Sequence, residues 1–127
     1  MRSIDHSPLP YVPEYITGNF ELARSYAEQS KQKDSTQADV HVLLGNLNNL
    51  QGKFHEALVD YSAALKASPD DSKVLFNRAC THDKMGNLDL AVQDFRRATE
   101  LDSSIPETFM KNAMTKKLAA DVKGNPN

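Results

Sequence analysis

The feature that most constrains this chain is a sequence written twice. Residues 52–71 (GKFHEALVDYSAALKASPDD) and 86–105 (GNLDLAVQDFRRATELDSSI) carry the same residue types at an offset of 34. The pairs are Gly52/Gly86, Phe54/Leu88, Ala57/Ala91, Tyr61/Phe95 and Ala64/Ala98. Within each copy the apolar residues recur at the period of a helix, so each copy reads as an amphipathic helix that follows a glycine turn. A second helix precedes each glycine. In residues 37–51 it carries Val40, Leu43, Leu44 and Leu47, and before Gly86 it carries Val74, Leu75, Phe76, Ala79 and Cys80. Pro69 cannot continue the helix before it, and Asp70 or Asp71 is suited to cap the one that follows. Pro106 opens a last helix, expected to run from Glu107 to about Ala120. A helix pair of this size cannot bury its apolar face alone, but stacked pairs can.

On these residues the chain resembles the tetratricopeptide repeat family, whose unit is a 34-residue helix-turn-helix. Residues 38–71 hold Leu44-Gly45, Gly52, Ala57, Tyr61, Ala64 and Pro69 at the family's positions. Residues 72–105 keep Gly86, Ala91, Phe95 and Ala98, with Arg78-Ala79 in place of leucine-glycine and Ser103 in place of the proline. Upstream, Gly18, Phe20, Ala23 and Ser30 continue the register, whereas Pro8, Pro10 and Pro13 forbid the helix that would pair with them. The expected fold is therefore an all-α solenoid of two repeats between flanking helices. Its divisions are a proline-rich extended arm (1–17), an N-terminal helix (18–36), a first repeat (37–71), a second repeat (72–105), a capping helix (106–121) and a flexible tail (122–127). The arm, SPLPYVPEY at its centre, is expected to pack on the N-terminal helix or the start of the first repeat. The alternative is that it reaches a partner, or a second copy in a homodimer, and completes that molecule's groove.

Composition narrows the function. A net charge of −2 and mixed-sign surface residues give no nucleic-acid or membrane signature, so neither partner is expected. One cysteine, Cys80, rules out an intramolecular disulfide and fits a reducing, cytoplasmic setting. The first residues, MRSIDHSPLP, contain no apolar core of a signal peptide. His6, His41, His55 and His82 do not pair at helical spacing, so no metal and no cofactor are expected. The sequence has no phosphate-binding glycine loop and no Gly-x-Ser-x-Gly elbow, and nothing in it argues for an enzyme.

What the resemblance implies is a binding surface. In the family, first helices line a concave face. Carried over by position, that places Asp39, Val42, Asn46 and Asn49 there from the first repeat, and Lys73, Phe76, Asn77, Cys80 and Asp83 from the second. The last helix adds Glu107, Met110, Met114 and Lys117. Val42, Phe76 and Met110, with Cys80 and Met114 beside them, form an apolar stripe edged by polar residues, the composition of a peptide groove. The expected function is a non-catalytic adaptor or scaffold that takes a protein or peptide partner. Two alternatives stand beside it: a co-chaperone that clamps a carboxylate, and a structural subunit of a multiprotein complex whose stripe is covered by other repeats or by the arm. The family's clamp uses a lysine, two asparagines, a second lysine and an arginine. The corresponding residues here are Val42, Asn46, Asn77, Glu107 and Lys111, so one cation is lost and another reversed.

Overall fold

The computed structural model describes residues 20–33 and 38–124. Among the described residues there are six helices and no strand: α1 (Phe20–Lys33), α2 (Ala38–Leu50), α3 (Phe54–Ala67), α4 (Ser72–Met85), α5 (Leu88–Leu101) and α6 (Thr108–Gly124). The expected arm lies outside the described residues. The last helix differs from expectation at its end, because α6 continues through Val122, Lys123 and Gly124, which the sequence reading assigned to a tail. Lys123 in its last turn faces the negative end of the helix dipole, a favourable position that extends it.

Both turns within the pairs close in the same way. Gly52 and Gly86 adopt φ of 77° and 81°, the left-handed region that glycine enters without a Cβ clash. Lys53 N–H donates to the Asn48 carbonyl at 2.8 Å and Gly52 N–H to that of Asn49 at 3.1 Å. Thirty-four residues on, Asn87 N–H donates to His82 at 2.9 Å and Gly86 N–H to Asp83 at 3.1 Å. Between the pairs, the Asp71 carboxylate caps α4 by accepting from the N–H groups of Lys73 and Val74.

Helices α2 and α3 pack as one pair and α4 and α5 as the next; α3 joins α4, α1 lies on α2, and α6 lies on α5. First helices α2, α4 and α6 thus form one layer and α1, α3 and α5 the other. Ala57, Ala64, Ala91 and Ala98 are buried at the contacts, where a small side chain lets two helices approach closely. Tyr61 and Phe95 fill the space that the alanines leave. Phe76, Phe95 and Phe109 form an aromatic cluster that ties α4, α5 and α6 together, with ring centroids 5.6 Å apart for Phe76–Phe95 and 5.1 Å for Phe76–Phe109. A smaller cluster of Ala27, Val40, Leu43, Leu44 and Leu47 joins α1 to α2.

Gly45 is the tightest point of the first pair. A Cβ there would stand 2.7 Å and 2.8 Å from ring carbons of Tyr61. The ring cannot swing away freely, because its hydroxyl donates to Asn46 Oδ1 at 2.6 Å. Gly45→Ala should therefore destabilise the chain by about 1–2 kcal/mol, the cost of overpacking a close helix contact. Urea denaturation checks this, and a variant as stable as the parent would show that α2 and α3 can separate without cost.

Candidate functional site

The layer formed by α2, α4 and α6 brings the expected groove residues into neighbouring rows, but it does not expose them equally. Val42 and Met110 are half-buried and pack against the main core, while Met114 is exposed. Lys73 is exposed. Phe76 is only 3% exposed, and Asn46, Asn49, Asn77 and Cys80 are buried as well. The expectation of Phe76 as an open apolar anchor is corrected accordingly. Its ring is held between Phe95 and Phe109, so it belongs to the interior, and Cys80 lies in the same cluster.

The asparagines are engaged with the protein itself. Asn46 Oδ1 accepts from the Tyr61 hydroxyl at 2.6 Å and from Asn77 Nδ2 at 2.9 Å, which links the two repeats through a buried amide pair. Asn49 Oδ1 accepts from the Thr81 hydroxyl at 3.1 Å. A buried polar group without a partner costs more than a made bond returns, so these matched contacts fix how α2 and α4 lie together. Burial pushes the Tyr61 phenol and the Cys80 thiol well above their ordinary ranges. The nearby Asp83 charge adds to the shift at Cys80, so the sulfur stays a protonated, poorly nucleophilic thiol.

Lys117 is likewise committed. Its ammonium lies 3.2 Å from Asp89 and 3.7 Å from Asp121, and the hydrogen bond to Asp89, then the charges of both acids, raise its pKa. Its neighbour Lys116 reaches the buried Asp83 carboxylate at 3.0 Å, which fastens α6 to α4. Of the clamp positions, Lys111 lies 3.5 Å from Glu107 in an ion pair along α6.

Two features escaped the sequence reading. One is a polar clasp inside each pair. Asp60 accepts from Asn48 at 2.9 Å and lies 3.5 Å from His41, while Asp94 accepts from Arg78 at 2.7 Å and 2.9 Å and lies 4.0 Å from His82. The other is a row of exposed residues, Leu50, Lys84 and Leu118, at one repeat position. The acid of the clasp (Asp60 and Asp94) and the exposed row recur at the 34-residue offset, so the register held that much of the signal.

Among the described residues no three of histidine, cysteine, aspartate and glutamate converge as metal ligands. Among them, too, no helix is long and apolar enough to cross a membrane.

Turns, pairing and small-residue contacts that repeat every 34 residues define a helical-repeat protein. The tetratricopeptide repeat profile matches residues 72–104 and the SHNi-TPR profile residues 38–66, and the chain belongs to the tetratricopeptide repeat family. It is similar to U-box domain-containing protein 70 of Oryza sativa subsp. japonica, with 32% identity over 76% of this chain and 12% of that protein. It is similar also to the Hsp70-Hsp90 organising protein of Plasmodium falciparum (isolate 3D7), with 37% identity over 68% of this chain and 15% of that protein. The chain thus spans less than a sixth of either relative. Among solved structures it resembles PcrH in complex with the chaperone binding region of PopD. That likeness has a TM-score of 0.66 and 23% identity, covering 88% of this chain and 86% of the other, and it shows a shared fold.

Proposed function

We propose that the chain is a non-catalytic protein-binding module whose first-helix layer takes a segment of a protein partner. The observation that carries this reading is an apolar row along the first-helix layer, half-buried Val42 and Met110 with exposed Met114, packed beside the buried Phe76 and Cys80. Flexible methionine side chains at one end suit an apolar segment, because they adapt to its shape at little strain. The relatives support the class of function: one bears the name of an Hsp70-Hsp90 organising protein, and the structural neighbour holds a binding region of PopD. A cytosolic adaptor fits the single, buried cysteine.

The carboxylate clamp is a weaker fit. Val42 offers no charge, Glu107 repels a carboxylate, and Asn46 and Asn77 already bond one another. Random-peptide display against the full chain, followed by fluorescence anisotropy, tests the choice. Selected peptides should carry apolar anchors, and Met114→Glu should weaken them about tenfold while Lys73→Ala changes little. Affinity should vary only about two- to threefold between low and high salt. Peptides that require a C-terminal carboxylate and release steeply with salt would sink this reading in favour of the clamp.

A further inference from the structure

A protein kinase takes the residue it modifies in extended form, so a hydroxyl inside a helix is withheld from it. Most described serines and threonines lie in helices; Ser68, Ser103 and Ser104 lie in the turns after α3 and α5. Thr99, which follows Arg96 and Arg97, is the closed case. It lies within α5, and its hydroxyl donates to the Arg96 carbonyl at 2.9 Å. Ser68 is the open case. Pro69 follows it and disfavours helical geometry, and Ser68 takes φ of −136° and ψ of 81° at the end of α3. Residues 66–71 are all exposed. The Ser68 carbonyl accepts from Asp71 N–H at 3.3 Å, which closes a turn over Pro69 and Asp70.

The same turn follows α5, with an acid in place of the serine. Ser68 N–H donates to the Ala64 carbonyl at 2.9 Å, and Asp102 N–H to that of Ala98 at 2.9 Å. The Asp102 carbonyl accepts from Ile105 N–H at 3.1 Å, as that of Ser68 accepts from Asp71. Asp102 has φ of −139° and ψ of 102°, close to the angles of Ser68. Its carboxylate accepts from the Ser104 N–H at 3.0 Å and hydroxyl at 2.6 Å. A turn of this form therefore holds an anion at the position of Ser68.

From this pair of turns we infer that Ser68 is a phosphorylation site for a proline-directed protein kinase. Proline at the next position suits such an enzyme, because it brings no N–H that the kinase would have to pair. The Ser68 Oγ attacks the γ-phosphorus of ATP, the bond to the bridging oxygen of ADP breaks, and the hydroxyl proton passes to a carboxylate of the kinase. The product carries about −1.5 to −2 of added charge at an exposed turn, where water screens its repulsion from Asp70 and Asp71. Arg97 already reaches this turn, donating to the Asp70 carboxylate at 2.9 Å, and offers a guanidinium to the phosphate.

The site does not depend on the groove proposed above. Ser7 also precedes a proline, so the full chain carrying Ser7→Ala is the substrate for the test. It is incubated with ATP and a purified mitogen-activated protein kinase, and the phosphate is mapped by mass spectrometry. One phosphate is expected, on Ser68, and adding Ser68→Ala or Pro69→Ala should cut incorporation about tenfold or more. A synthetic peptide of residues 62–75 gives the rate for the same site without the fold. The folded chain should be phosphorylated within about tenfold of that rate, since an exposed turn needs only local opening. The phosphorylated chain should keep its urea midpoint within about 0.5 M of the unmodified one. No phosphate, phosphate on other residues, or undiminished incorporation in Pro69→Ala overturns the inference. So does a slower rate on the folded chain, or a larger fall in the midpoint.

Discussion

Phe76→Ala should cost the folded chain about 3–5 kcal/mol in chemical denaturation, the range for truncating a buried phenylalanine. The side chain is 3% exposed and meets two other rings, Phe95 at 5.6 Å and Phe109 at 5.1 Å, so its removal opens a cavity where α4, α5 and α6 join. Domains of this size hold only about 5–15 kcal/mol in total, which leaves the variant marginal. Phe76→Glu would add an unpaired buried charge and should leave α6 undocked or the chain unfolded. A Phe76→Ala variant that keeps its denaturation midpoint and loses only partner binding would return Phe76 to the surface row.

That residue shows where reading the sequence succeeds and where it stops. The 34-residue register identified the helix pairs, the glycine turns and the buried alanines, because each depends on a few residues within one repeat. Position in the repeat also placed Phe76 and Cys80 in the row that faces the concave side. Their burial depends on what neighbouring repeats bring to them, and Phe109 comes from a helix beyond the second repeat. Asn46 and Asn77 present the same difficulty. Their types match a pair that grips a ligand, yet a bond between them spans 31 residues and no local pattern announces it. Asp60 and Asp94 were legible in principle, as an acid repeated on an otherwise apolar helix face, but their partners differ between the repeats. Asn48 serves the first and Arg78 the second.

The departure of Arg78 from the family's leucine therefore has a structural reason, and it leads to the second large effect. Arg78 grips Asp94 with two hydrogen bonds, and the Asp94 side chain is only 10% exposed. Arg78→Ala should destabilise the chain by about 2–3 kcal/mol near neutral pH, because it strands a buried carboxylate. The loss falls below the full range for buried pairs because Arg78 itself is 26% exposed and partly screened. His82, 4.0 Å from the same carboxylate, makes the loss depend on pH. Its pKa lies below the usual 6.5, first because burial disfavours the cation; Asp94 works against that shift and Arg78 adds to it. The unfolded chain thus binds this proton more readily than the folded one. The contribution of His82 to stability is present above about pH 6.5 and is lost as the pH falls towards its folded value. Without Arg78 one cause of the depression is gone, and a protonated His82 faces Asp94 as its remaining cation. The penalty of Arg78→Ala should therefore shrink between about pH 8 and pH 5.5, in the window where histidine gains its proton. Adding His82→Gln should abolish that shrinkage, since glutamine can bond Asp94 but cannot acquire charge. Urea denaturation of the parent, the single variant and the double variant at both pH values checks the argument. A penalty in Arg78→Ala that stays constant with pH would mean that His82 does not take over the carboxylate.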